Sequence, residues 1–333
     1  MSSSTFGTMP DGETVTRTVI SGHGLTASIV SFGARVQDLR LDGVPHSLVL
    51  GFPEFEPYLT EGKHFGAIAG RFANRINQGR APINGETVQL DRNFMGKHLL
   101  HGGAKGTATK NWTVSATTPD SVTLTLSLPD GEMGFPGNLD LSLTYRILAG
   151  PSLQMVFAGK TDKPTLCNLA QHSYFNLDGS GDIRNHELTI LARGYTVVDA
   201  DAIPTGETAP VAGSIFDFRN PVRLDDPEVL ETLDHNFVIA DARLAHPVLA
   251  ARLSGGGITM EIRSTEPGLQ AYAGAKLHER ATGLGGFAYG PNAGIALESQ
   301  LWPDAPNHAD FPSALLMPDT EYHQETLLDF RRS

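Results

Sequence analysis

The segment Ser121-Val122-Thr123-Leu124-Thr125-Leu126-Ser127-Leu128 decides how the rest of the chain is read. Val122, Leu124, Leu126 and Leu128 occupy every second position with Ser or Thr between them, and a period of two sends the two sets to opposite faces of a β-strand. The next segments repeat the pattern. Leu139, Leu141, Leu143 and Tyr145 share a face, and Leu153, Met155 and Phe157 follow after the Ala149-Gly150-Pro151 turn. Half-buried antiparallel strands carry this alternation, so the region reads as a meander. Further on, Ile258, Met260 and Ile262 alternate with Thr259, Glu261 and Arg263, and Asp42-Gly43, Asn84-Gly85, Asp130-Gly131 and Gly255-Gly256-Gly257 supply tight-turn signals. Helical periodicity is weak; the best candidate, Pro227 to Leu233, is short and has Pro at its first turn. The expected architecture is all-β, a large antiparallel β-sandwich of stacked sheets with very little helix and with long loops carrying the polar clusters. With no internal repeat and no low-complexity linker, residues 1–333 read as a single domain.

Bulk properties narrow the function classes. The 333 residues are 40% hydrophobic, enough for a large core, and carry a formal net charge of −12. That charge repels nucleic-acid phosphates and anionic membrane surfaces, so a neutral or cationic partner is expected; the protein itself is read as a monomer or homodimer. The single cysteine, Cys167, excludes an internal disulfide framework and a multi-cysteine metal site, and it fits a reducing compartment. The start Met1-Ser2-Ser3-Ser4 has no basic or apolar leader features, and no run of about 18 apolar residues follows, so a cytoplasmic location is expected. Asn111-Trp112-Thr113 matches a glycosylation sequon that has no meaning without a secretory route.

Common motifs are missing: no dinucleotide fingerprint, no phosphate-cradling loop, no serine-hydrolase elbow, and no second His beside His278-Glu279. The twelve histidines are scattered with none spaced as a local metal pair, so only the fold could assemble a metal site, and none is expected; no cofactor is called for either. What stands out is five polar islands in an apolar β chain. Gly66 to Ile76 places Arg71, Asn74 and Arg75 among small and apolar residues, where Arg beside Asn offers fixed donors suited to sugar hydroxyls or a developing oxyanion. For Arg71 alone a loop-closing salt bridge is an equal explanation. His101 is followed by Gly102-Gly103, which permit close approach. Asn168 to Leu177 contains Gln171, His172, Tyr174 and Asn176, either a satisfied structural element or half of an active site. Asp234-His235-Asn236-Phe237 can accept hydrogen bonds from hydroxyls or simply turn helix into strand. Glu298 follows an apolar run; if that run is a buried strand, the carboxylate ends it in low dielectric, where its pKa rises toward that of a general base. A buried ion pair with an arginine is the rival reading.

Taken together, these islands resemble the galactose mutarotase (aldose 1-epimerase) family over essentially the whole chain. The resemblance rests on Gly70 to Ile76, Leu100 to Gly103, His172 to Leu177, Asp234 to Phe237, Pro267 to Gln270 and Glu298 to Asn307, six elements in the family's order. It implies an enzyme that interconverts the α and β anomers of a free aldose, such as D-galactose or D-glucose, by opening and reclosing the ring. Glu298 would be the base at the C1 hydroxyl and His172 the acid at the ring oxygen. His101 would hydrogen-bond near the ring or C1 oxygen, and Asn74, Arg75, Asp234 and Gln270 would hold hydroxyls. Reference pKa values of about 4.3 and about 6.5 let the Glu be ionised and the His be substantially protonated near neutrality once a carboxylate lies close. A non-catalytic carbohydrate-binding module and an epimerase-like enzyme for a phosphorylated hexose are the alternatives. Two departures, Ala271 beside Gln270 and His308-Ala309-Asp310 after the Pro-Asn pair, are expected to affect the shape of the sugar pocket.

Overall fold

The computed structural model describes residues 2–332. The alternating segments form the middle of a nine-stranded sheet in which Ser121–Leu128, Leu139–Leu148 and Ser152–Thr161 run side by side and Ser152–Thr161 pairs with the last strand, Tyr322–Arg332. Register follows the alternation: Leu124 opposes Leu143 and Leu143 opposes Phe157, so one face of each strand turns to the core. A six-stranded sheet, in the order Tyr174–Phe175, Ile295–Gln300, Gly268–Tyr272, Asp234–Val238, Gly194–Val198 and Pro204–Pro210, packs its apolar side into that same core. A four-stranded sheet from Ser2–Thr8 to Arg35–Leu41 supplies Ile20, Ile29 and Leu39. The largest apolar cluster therefore draws on all three sheets, from Ile20 to Phe330. Every ladder between strands is antiparallel among the described residues.

Helix is scarce, as expected. Pro227–Thr232 is helical, with Pro at its start and the Asp226 side chain accepting from the Glu228 N–H, and Glu56–Leu59 adds one further turn. No helix among the described residues is long and apolar enough to cross a membrane.

The four-stranded sheet is fastened to the loop ahead of Ile68–Ala69 by Arg35. Its guanidinium is fully buried with no carboxylate partner and instead donates to the carbonyls of Phe32 (2.6 Å), Phe65 (3.2 Å), Ala108 (3.2 Å), Gly62 (3.4 Å) and Lys63 (3.4 Å). It lies over the Tyr58 and Phe32 rings at 4.3 and 4.8 Å. Burial pulls its pKa down to about 10, partly offset by Tyr58 and Tyr145, so the group stays charged near neutrality. Beside it Gly66, at φ 67°, accepts from the Val36 N–H and donates to the His172 carbonyl, and a Cβ there would meet the Val36 oxygen at 2.0 Å. Arg71, by contrast with the salt bridge considered for it, has no carboxylate partner among the described residues: it donates to the Pro136, Gly137 and Leu128 carbonyls and to Thr165 Oγ1, an internal brace. Because each orphaned buried carbonyl costs about 1–3 kcal/mol, Arg35→Met is expected to lower the unfolding free energy by about 3 kcal/mol or more. Urea titration checks this, and a loss below about 1 kcal/mol contradicts the bracing role.

Candidate functional site

Antiparallel register builds the site. Tyr174 pairs with Ala296 and Phe175 with Ile295, and just ahead of this short ladder the His172 side chain comes to Glu298. Glu298 in turn pairs with Gln270, and Gln270 with Asn236; one rung away Ala296 pairs with Tyr272 and Tyr272 with Asp234. Residues two apart on a strand share a face, so these rungs project to the same side of the six-stranded sheet. The strand Ile295–Gln300 is buried throughout, and Glu298 lies within it rather than at its end.

The second wall comes from the Gly66 to Ile76 island. Arg75 pairs with Leu100 and Ile76 with Leu99, which carries His101 alongside Asn74. The His101 N–H donates to the Asn74 carbonyl (2.9 Å), and the Asn74 N–H donates to His101 Nδ1 (3.1 Å). The latter bond settles the tautomer: in the neutral ring Nε2 holds the hydrogen and is a donor. Burial, with His64 and His172 adding to it, pushes the His101 pKa well below the usual range, so the ring stays neutral.

Between the walls lies a cavity of about 210 Å³ lined by His64, Asn74, Arg75, Phe94, Leu100, His101, His172, Tyr174, Asp234, Tyr272, Lys276 and Glu298. His172 Nε2 stands 3.6 Å from Glu298 Oε1, with the two residues 5% and 2% exposed. Glu298 forms no ion pair with an arginine among the described residues; Arg75 Nη2 instead meets Asp234 Oδ2 at 3.1 Å. Desolvation raises the Glu298 pKa to about 8, with Asp234 adding and Arg75 opposing, and desolvation lowers that of His172 to about 4. This corrects the expectation of an ionised Glu beside a protonated His: over the range between those values burial favours a pair that holds one proton on the carboxyl side. Attraction between a carboxylate and an imidazolium at this distance works the other way, so the proton has two homes.

Six of the seven candidate residues line the cavity. Gln270 does not. Buried at 2% exposure, it donates from Nε2 to Asp234 Oδ1 at 2.6 Å and so, with Arg75, fixes both carboxylate oxygens. Sequence reasoning missed the cavity-lining roles of Tyr272, which shares the Gln270 face two residues on, and of Tyr174, which lay in an island without a role. It also missed the lining role of Leu100, which opens the Leu100 to Gly103 element, and it missed Lys276, His64 and Phe94, which no local pattern marked. His64 stacks on His172 with ring centroids 5.7 Å apart and tilts against His101 at 4.8 Å.

The two departures do not reach the cavity. Ala271 points to the opposite face of its strand, fully buried in the large apolar cluster, so the expected effect on pocket shape is removed by the pleat. His308 packs on Phe311 and sits 3.2 Å from Asp304 Oδ2. Asp304 itself donates its N–H to the Arg75 carbonyl and accepts from Asn77, so this turn supports the Arg75 backbone from behind. A larger groove of about 600 Å³ over Ser127, Asp140, Lys160 and Asp162 runs along exposed strand residues and contains no buried titratable side chain.

His101, His172 and Glu298 bring potential ligand atoms within 4.8 Å of one another, a set with the composition of a metal site. The donors do not suit it. With Nδ1 of His101 already accepting from Asn74, its Nε2 bears hydrogen and has no lone pair to offer a metal ion. What faces the cavity is a fixed hydrogen-bond donor on His101 beside two titratable groups, His172 and Glu298.

An all-β sandwich thus holds a buried Glu–His pair and an Arg-bound carboxylate in one small polar cavity. Residues 16–329 match the family model described as aldose 1-epimerase. The chain is 38% identical to the galactose mutarotase of Mus musculus over 98% of its own length and 97% of that protein's. It is 34% identical to the aldose 1-epimerase of Escherichia coli over 96% of each. Among solved structures it is similar to the aldose epimerase homologue from C. elegans, with TM-score 0.87, 30% identity and coverage of 95% of this chain and 98% of that one. The chain belongs to the aldose 1-epimerase family, and its enzymatic class is that of the isomerases acting as racemases and epimerases. Since His308 lies outside the cavity, His308→Ala is expected to leave kcat/KM for each aldose substrate within about twofold; polarimetry on purified protein checks it, a tenfold change for one sugar contradicting the placement.

Proposed function

We propose that this protein interconverts the α and β anomers of free hexoses such as D-galactose and D-glucose, with Glu298 as general base and His172 as general acid. One observation carries the reading: the two side chains meet at 3.6 Å, both buried, in a cavity of monosaccharide scale. In ring opening Glu298 takes the proton of the C1 hydroxyl, the C1–O5 bond breaks with its electron pair going to O5, and His172 delivers a proton there. That leaves a protonated Glu298 and a neutral His172 beside the aldehyde. Rotation about C1–C2 presents the other carbonyl face, and closure returns both protons. Each half-reaction thus converts one single-proton form of the pair into the other, and burial stabilises the form that faces the open chain.

The remaining lining residues hold the sugar. His101 Nε2–H donates to an oxygen at the reacting end, while Asn74, Arg75 and Asp234 engage hydroxyls and Gln270 positions Asp234. A module that only binds sugar has no use for both an acid and a base, which supports the enzyme reading. The net charge of −12 favours a neutral sugar over a phosphorylated one and over nucleic acid or an anionic membrane. A cytoplasmic location, with residues 1–333 acting as one domain, completes the proposal; Cys167, a buried free thiol whose pKa burial raises to about 12, is compatible with a reducing compartment.

Two measurements test the assignment. Glu298→Gln is expected to slow polarimetric mutarotation of α-D-galactose by about 10²–10⁴-fold with the fold intact, the range for one positioned base, and an unchanged rate would mean another group takes the proton. The pH dependence of kcat/KM, after subtraction of the buffer rate, should be bell-shaped. Below about 4 the pair gains a second proton and lacks a base, and above about 8 it loses its only proton and lacks an acid. A rate rising monotonically through pH 9 contradicts the single-proton pair.

A further inference from the structure

We infer that Phe94 is an aromatic platform for the apolar C–H face of the bound pyranose and that it biases the site toward galacto-configured sugars. The inference rests on the sugar-binding reading above and adds a residue that has no motif and no assigned role. Phe94 is half-buried in the cavity wall next to Leu100, on the side formed by Arg75 and Asn74. The Arg75 guanidinium carbon lies 5.1 Å from its ring centroid, and the same guanidinium meets Asp234, so the ring adjoins the clamp proposed for the hydroxyls. An exposed aromatic ring set beside hydroxyl-binding groups is what an amphipathic ligand needs: a pyranose is polar around its rim and apolar on its faces.

The ring is held rather than loosely placed. Phe94 begins a two-residue hairpin turn in which Met95 (φ 54°) and Gly96 (φ 64°) both take left-handed conformations and the Lys97 N–H donates to the Phe94 carbonyl at 3.0 Å, the pattern of a type I′ turn. Phe94 and His98 exchange backbone hydrogen bonds of 2.9 Å. Asn93 clasps both backbone groups of Leu100, at 2.8 and 2.9 Å. His98, almost fully buried, accepts from the Gln78 N–H at Nδ1, so its Nε2–H donates to Asp201 Oδ2 at 3.2 Å, and Lys97 binds the same carboxylate. A ring fixed on both sides of its turn loses little freedom when a ligand covers it.

Configuration follows from stereochemistry. In galactopyranose the axial C4 hydroxyl leaves the C–H groups of C3, C4 and C5 together on one face, a contiguous apolar patch. In glucopyranose the C–H groups alternate between the faces. A platform therefore contributes more to galactose binding than to glucose binding.

The experiment combines Phe94→Ala, Phe94→Leu and Phe94→Tyr with two readouts: KM and kcat for galactose and glucose, and calorimetric Kd for 1,5-anhydro-D-galactitol and 1,5-anhydro-D-glucitol. These anhydro sugars lack the C1 hydroxyl and cannot open, so they report binding whether or not the protein is a mutarotase. Phe94→Ala and Phe94→Leu should raise the galactose KM and the anhydrogalactitol Kd about threefold to tenfold with kcat nearly unchanged, should affect the gluco sugars less, and Phe94→Tyr should keep wild-type values. Equal losses for both configurations would mean that Phe94 only props Arg75 and would overturn the platform, as would unchanged Kd values. Should Phe94→Ala not fold, Phe94→Leu decides, since it keeps apolar bulk and removes the ring. Wild-type protein that binds anhydrogalactitol through Phe94 yet leaves mutarotation at the buffer rate would sink the catalytic proposal alone.

Discussion

The site depends on a single sheet register. His172 and Glu298 are far apart along the chain, yet the Tyr174–Ala296 pairing beside them brings their segments together so that the two side chains meet at 3.6 Å, and the Glu298 rung continues through Gln270 to Asn236. The rung beside it, Tyr174, Ala296, Tyr272 and Asp234, supplies much of the rest of that wall. Two rungs thus present Glu298, Gln270, Tyr272 and Asp234 to one side at the spacing of the pleat. Because a slip of one residue turns every side chain to the other face, the apolar residues between them lock the chemistry in place. Leu269, Ala271, Ile295 and Leu297 go to the core, and their burial forces Gln270, Glu298 and Asp234 to the cavity side.

The same burial tunes the protons. A carboxylate in water is a weak base for a sugar hydroxyl, and a histidine with an ordinary pKa is only partly charged near neutrality. Removing both from water pushes them in opposite directions, the carboxyl up and the imidazole down, and so reverses the order in which the two groups hold a proton. His101 takes a different part because the Asn74 N–H occupies its Nδ1, converting what would be a ligand or base into a fixed donor.

Local alternation made the strands legible: Ser121–Leu128 announces its own two faces, and the helix at Pro227 announces its own first turn. The polar islands were legible because Glu298, His172 and Asp234 interrupt apolar runs, a costly placement unless it serves some purpose. Other features depend on distant parts of the chain. That Gln270 serves Asp234 and not a ligand follows from which strand lies next to it. Ala271 was misread because its neighbour on the motif faces the cavity while it faces the core. His64 and Phe94 arrive on loops whose positions are set by Arg35 and by the His98–Asp201 contact, which no periodicity records. The proton distribution of the Glu–His pair escaped because reference pKa values describe solvated groups and the extent of burial is a property of the assembled cavity.

The carbonyl cage around Arg35 carries one more consequence. A guanidinium that gathers oxygens from Phe32, Gly62, Lys63, Phe65 and Ala108 joins the first sheet, the His64 loop and the segment near Trp112 at one point. None of these can detach without stranding a buried charge, so the histidine-lined side of the cavity opens only with the unfolding of a large cooperative unit. Breathing motions that admit and release a ligand are thereby left to lining positions outside the cage, such as exposed Lys276 and half-buried Tyr272.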